Sequence, residues 1–169
     1  DSNLGEISVI QIPKLSPREW NTFHTRVVPG FIDTPFAMSV HTDGFPIAPQ
    51  LWDNSFLNYD FIGAPWADGV VGNSGFCIES AKLMKEKVKL PFSNGEPSDG
   101  FICRTHRKRL EDAGVVFAPA DVASMFSTET TGDKIPSFGF HSSNKRFQVA
   151  KHNLGWELIR EMEGTLRRH

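Results

Sequence analysis

FAMSVHTDGF (36–45), LWDNSFLNYDFIGAPW (51–66) and VGNSGF (71–76) decide how this chain reads. The apolar run over 36–41 predicts a strand, and Asp43-Gly44 a turn at its end. LWDNSFLN predicts a short helix, YDFIG a short strand, and the stretch around Pro65 an irregular connection. SGFCIES (74–80) predicts another strand, opened by the Gly72-Asn73-Ser74-Gly75 loop. Strand ends then deliver Asp43, Trp66 and Asn73 to one polar floor, since ligands collect at the carboxyl ends of strands in open α/β sheets.

Upstream, EISVIQI (6–12) is β-branched and apolar up to Pro13 and predicts a buried strand. Ser16 and Glu19 have capping-box spacing, and Pro17 suits the first helical position. Trp20, Phe23, Val27 and Val28 follow at helical spacing, which predicts that they face inward. Strand, helix and strand in this order predict a β-α-β unit in a mixed, mostly parallel sheet flanked by helices. Downstream, Ser80 can cap a helix over 81–90 that Pro91 stops, and Ser98 can cap a helix that ends near Gly114. VVFAP predicts a short strand, DVASMFSTE a short helix breaking into a loop, and FGFH (138–141) a short strand or turn. Leu154, Leu158, Ile159 and Met162 place an amphipathic terminal helix over about 153–168. With no repeat and no long linker, a single domain over 1–169 is expected.

The balance of 39% hydrophobic and 22% charged residues is that of a globular protein, and a net charge of −2 argues against a nucleic-acid surface. The basic run Arg104–Arg109 shares its predicted helix with Glu111 and Asp112, so it reads as a solvated face. No apolar run is long enough to span a bilayer. Cys77 and Cys103 lack CxxC spacing and read as buried free thiols, which suits a reducing, cytoplasmic setting.

Each candidate site residue has an ordinary alternative. Asp43 before Gly44 is a common turn pair, or a carboxylate placed to bind a hard metal such as Mg²⁺ or Mn²⁺. The 72–75 loop is a hairpin-type turn, or a place where backbone approaches a ligand. Asp99 is a carboxylate favoured by a helix start, or a general base. His141 is a hydrogen-bonded histidine, or a second metal ligand. No serine or cysteine sits in a nucleophile elbow, so a hydrolase triad has no support.

The order HTDGF, FLNYDFIGAPW, VGNSGF, SDGFICR, FAP and SFGFH, over about 6–142, resembles an uncharacterised GT-A type glycosyltransferase-like domain family. YDFIGAPW and FGFH are its most specific parts. The resemblance implies a metal-dependent, inverting transferase that takes a nucleotide-sugar donor, a UDP-sugar foremost, and a glycan or other hydroxyl acceptor. Carried over by position, it implies Asp43 and His141 as metal ligands and Asp99 as catalytic base. His41 stands where a fuller motif has an acid. His41, Trp66, Gly72, Asn73 and Gly75 would then line the donor and acceptor site, with Trp66 able to stack on a sugar. Two positions depart from the pattern: Ser98 replaces a glutamate and Ser74 a glycine. The resemblance also implies a further strand-helix-strand segment ahead of EISVIQI, so a homo-oligomer or other partner is expected to cover the sheet edge. A non-catalytic sugar- or nucleotide-binding domain and an oligomeric structural domain are the competing expectations. The metal reading requires Asp43 and His141 to converge, since ligand bonds are only ~2.0–2.6 Å long.

Overall fold

Residues 9–91, 95–129 and 136–141 are described by the computed structural model, and all that follows concerns them. They form a mixed α/β arrangement of small sheets and short helices. Ser16 starts α1 (Pro17–Thr22) with the expected capping box: its hydroxyl accepts from the Glu19 N–H, and the Glu19 carboxylate accepts from the Ser16 N–H. The helix continues through a π-helical turn (Phe23–Val27) and a 3-10 turn (Val28–Phe31).

The face that α1 and these turns bury differs from the expected one. Asn21, His24 and Thr25 are buried, whereas Trp20 and Val27 are 37% and 42% exposed. The wider π turn changes the angular phase of the helix, and the surface beneath it is polar. There Asn21 donates to the Glu96 carbonyl at 2.6 Å, and His24 feels the charges of Lys87 and Glu79. Residues 9–12 also differ from expectation. They form no strand, and Val9 and Ile10 are 88% and 59% exposed, because no described strand pairs with them. Residues 6–8 of that predicted strand, and the predicted helix over 153–168, lie outside the described residues.

β1 (Phe36–Val40), β3 (Phe61–Gly63) and β4 (Phe76–Ser80) make one sheet in the order β1-β4-β3, antiparallel throughout. β2 (Gly44–Pro46), β5 (Ser127–Thr128) and β6 (Gly139–His141) make a second, in the order β2-β6-β5. Its β2–β6 pair is antiparallel and its β5–β6 pair parallel. The β-α-β entry expected from 6–40 is therefore absent among the described strands, and β1 lies at an edge with Met38 and Val40 exposed.

Phe76 and Ile78 of β4 belong to the hydrophobic core, where Phe76 stacks on Phe126 at 5.0 Å between ring centroids. α5 (Ala120–Phe126) supplies that partner. Asp60, from YDFIGAPW, is a structural clamp. It accepts from Ser80 Oγ at 2.5 Å and from the Val116 N–H at 2.8 Å, tying β3 to the start of α2 (Ala81–Lys87) and to the strand-like segment at Phe117. Ser80 caps α2 as expected, accepting from the Leu83 N–H at 3.1 Å. A Cβ at Gly63 would come within 2.3 Å of the Gly72 carbonyl, so the glycine of GAPW lets the 71–75 loop lie against β3. α3 (Ser98–Gly100), a π-helical segment (Phe101–Thr105) and α4 (Arg107–Asp112) form one broken helix ending at Gly114. Pro97, not Ser98, precedes its first turn. No helix here is long and apolar enough to cross a membrane.

Candidate metal centre

The turn after β1 is short and closed by its own backbone. The His41 N–H donates to the Gly75 carbonyl at 2.9 Å, and the Gly44 N–H donates to the His41 carbonyl at 3.1 Å. His41 and Asp43 therefore project from a fixed loop. β2 then pairs with β6 in a register that sets Gly44 opposite His141. This register, which links residues remote in sequence, brings His141 Nε2 to 3.3 Å from Asp43 Oδ1.

One ligand atom from each of His41, Asp43 and His141 lies within 4.8 Å of the others, and all three residues are half-buried. The group could hold a metal ion. Asp43 and His141 converge as the metal reading requires, and His41, expected among the donor- and acceptor-binding residues, lies with them. Two imidazoles and one carboxylate suit first-row transition ions better than Mg²⁺, which prefers oxygen ligands.

Glycines make room for the His141 ring. A Cβ at Gly75 would stand 2.0 Å from its Nε2, and one at Gly44 would stand 2.7 Å from its Cδ2. Asn73 adopts φ 62°, a left-handed conformation that asparagine tolerates better than most residues. Its Oδ1 accepts from the Gly75 N–H at 3.0 Å, which turns its Nδ2 toward His141 Nδ1 at 2.8 Å. Glu129 approaches the same nitrogen, with Oε1 at 3.5 Å. Sequence reasoning missed Glu129, because nothing in STETTG (127–132) distinguishes it from a surface acid.

The pKa values of the two histidines are shifted in opposite directions. Burial, and then the neighbouring His141, hold the His41 pKa below its ordinary value against the pull of Asp43 and Asp99. For His141, burial works against the charged ring, but the Glu129 hydrogen bond and the charges of Asp43, Glu129 and Asp99 outweigh it and raise its pKa. Burial likewise works against the Glu129 carboxylate, yet hydrogen bonds from His141 and Asn73 leave its pKa lowered.

Asp99 lies in the first turn of the broken helix, half-buried, and its charge reaches both His41 and His141. The two departures from the resembled pattern meet each other, with Ser74 Oγ and Ser98 Oγ 3.2 Å apart and buried. Trp66, expected to stack on a sugar, packs against the site loop and Arg104. The six-membered part of its indole covers Gly72, where a Cβ would come within 2.1 Å, and the Arg104 guanidinium lies 4.3 Å from its centroid. It buttresses the loop that carries Asn73. The aromatic ring beside the metal group is Trp20, which meets His41 edge-on at 6.2 Å. His41 in turn meets His141 at 6.0 Å. Cys77 and Cys103 are buried and free, as expected, and burial pushes both thiols well above their usual range.

The stretch from Phe23 to His141, which holds the whole group, matches the model of a family described as "Protein of unknown function (DUF5672)". The chain belongs to this family. No curated protein and no solved structure matches it. The DUF5672 match includes His41, Asp43, Asn73, Asp99, Glu129 and His141, and it begins just after Trp20.

Proposed function

We propose that this DUF5672 domain is a metal-dependent glycosyltransferase of GT-A type, acting with inversion on a nucleotide-sugar donor and a hydroxyl acceptor. The observation that carries the reading is the convergence of His41, Asp43 and His141, with the Asp99 charge reaching both histidines. In this proposal His41, Asp43 and His141 hold a divalent ion, Mn²⁺ before Mg²⁺ on the chemistry of the donor set. When bound, the ion supplies a Lewis acid that neutralises the diphosphate leaving group of a UDP-sugar. Asp99 accepts the proton of the acceptor hydroxyl as that oxygen attacks the anomeric carbon, and a single displacement with one base inverts the centre. Asn73, Gly72 and Gly75 shape the loop against which donor and acceptor lie. Trp20, exposed at the edge of the group, takes the stacking role expected of Trp66. The open edge at β1, with Met38 and Val40 exposed, supports a second copy of the chain as its cover.

The test is a titration of UDP-sugars with and without Mn²⁺, followed by product analysis. Mn²⁺-dependent transfer or hydrolysis that falls by 10²-fold or more in Asp99→Asn, with donor affinity kept, supports the proposal. Donor binding that survives Asp43→Ala with no turnover in either protein replaces it with a non-catalytic binding domain. A stable oligomer that binds no nucleotide or glycan replaces it with a structural role. Two histidines and a carboxylate also form the facial ligand set of non-haem Fe(II) oxygenases. Selective Fe(II) binding with oxygen consumption and no sugar transfer favours that second reading.

A further inference from the structure

His141 is approached by polar groups on both ring nitrogens, and they make incompatible demands. Nε2 lies 3.3 Å from Asp43 Oδ1. Nδ1 lies 2.8 Å from Asn73 Nδ2 and 3.5 Å from Glu129 Oε1. A neutral imidazole carries one N–H and one lone pair. Because the Asn73 carbonyl is committed to the Gly75 N–H, its NH₂ faces the ring and is a donor. Asn73 alone therefore makes Nδ1 an acceptor and puts the ring proton on Nε2, aimed at Asp43. In that tautomer Nε2 has no lone pair for a metal.

Glu129 makes the opposite demand. It follows β5 directly, and the parallel β5–β6 register, Thr128 beside Phe140, carries it to the level of His141. Its Oε1 stands 3.5 Å from His141 Nδ1, and its buried Oε2 has no hydrogen-bond partner among the described residues. It thus has capacity to accept an N–H from Nδ1 and the displaced amide of Asn73 together.

We propose that Glu129 is a positioning residue that selects the metal-binding tautomer of His141, holding the ring proton on Nδ1 so that Nε2 presents its lone pair to the ion beside His41 and Asp43. The inference rests on the metal reading above. The ring keeps one proton throughout: it leaves Nε2 to solvent, and another is taken up at Nδ1. Such carboxylate–histidine–metal arrangements orient the ligand and raise its basicity, and losing the outer partner costs typically 10–100-fold in metal affinity.

The experiment uses the full chain, ¹⁵N-labelled at histidine and freed of metal, at a pH where His141 is neutral. Long-range ¹H–¹⁵N spectra read the tautomer, and chelator competition with Zn²⁺, a diamagnetic probe, reads affinity. Wild type is expected to show Nδ1–H His141 without metal and Nε2 coordination with Zn²⁺. Glu129→Ala is expected to move His141 to Nε2–H and weaken Zn²⁺ binding by about 10–100-fold. Glu129→Gln, which keeps an acceptor oxygen of the same reach, is expected to recover part of the affinity and serves if the alanine variant does not fold. The same tautomer in wild type and variant, coordination through Nδ1, or affinity within about twofold of wild type would each overturn the assignment. Failure of wild type to bind any divalent ion removes the metal reading, while the metal-free tautomer comparison still decides the role of Glu129.

Discussion

Two polar clusters lie near one another in this domain, each pairing histidine with carboxylate side chains and both touched by Trp20. One is the metal group, with His41, His141, Asp43 and Glu129, and the charge of Asp99 close by. The other is buried between β4, α2 and the π-helical turn after α1, with His24, Glu79 and Lys87. The buried cluster balances its own charge. The Lys87 ammonium pairs with the Glu79 carboxylate, and burial, with Lys87 next, pushes the His24 pKa down to about 4, so the ring stays neutral. The metal group has no lysine or arginine among its members. Among the described residues, Asp43 and Glu129 each approach the half-buried His141, and no ion pair to a lysine or arginine joins them. A lysine inside the cluster separates, among the described residues, the one that balances its own carboxylate from the one that could hold a cation.

The largest expected effect breaks the buried cluster. Lys87→Met leaves Glu79 unpaired in the core. Removing one member of a buried ion pair costs about 3–5 kcal/mol. Urea denaturation at neutral pH checks this, and the double variant Lys87→Met with Glu79→Leu is expected to recover most of the loss. In the metal group, Asp43→Asn is expected to leave stability within about 1 kcal/mol, since its carboxylate is partly exposed, while abolishing divalent-ion binding. A loss below about 1 kcal/mol for Lys87→Met, or a comparable loss for Asp43→Asn, would erase the distinction between the clusters.

The next effect is a pH dependence whose sign differs between the clusters. His24 has a folded pKa of about 4, below the unfolded value of about 6.5, so the unfolded chain binds the extra proton first. Stability from a neutral His24 is present above about pH 6.5 and is lost as pH falls toward 4, a decline of roughly 3 kcal/mol. His141, with a raised folded pKa, contributes stability below its unfolded value that is lost as pH rises through the folded one. Urea midpoints of metal-free protein between pH 4 and 8, compared with His24→Gln, isolate the first contribution. An acid-side slope unchanged by His24→Gln would mean that His24 is not held neutral.

How much of this was legible beforehand follows the same division. Local signals read correctly: the capping box at Ser16, the Ser80 cap, the FGFH strand, and the meeting of Asp43 with His141 that the resemblance implied. Strand direction was not legible, because an apolar run carries no mark of whether its partner runs parallel or antiparallel. The buried polar face of α1 was hidden by a π turn that shifts the helical phase, so Trp20 and Val27 read as inward-facing while Asn21, His24 and Thr25 are the buried residues. Glu129 was invisible because a two-residue strand and its register, not a motif, bring it to His141. The packing of Trp66 over Gly72 was not legible either, because an irregular connection whose path no spacing rule predicts lies between them.

The smallest expected effect concerns the residue that joins the clusters. Trp20 lies over His24, with centroids 6.3 Å apart and planes 26° from parallel, and meets His41 edge-on at 6.2 Å. It is 37% exposed, so its removal uncovers the stacked face of His24 and the edge contact with His41 without opening the core. Trp20→Ala is expected to cost only about 0.5–1.5 kcal/mol, the scale of an aromatic pair. The titrations should respond more clearly. Water admitted beside His24 and His41 weakens the burial that depresses both, so both pKa values are expected to move upward. His141, which contacts Asp43 and Glu129 rather than Trp20, is expected to keep its titration. Histidine NMR titrations of wild type and variant read all three. If His24 and His41 stay where they were while stability falls by several kcal/mol, Trp20 is a core residue after all, and the two clusters are shielded from solvent by something else.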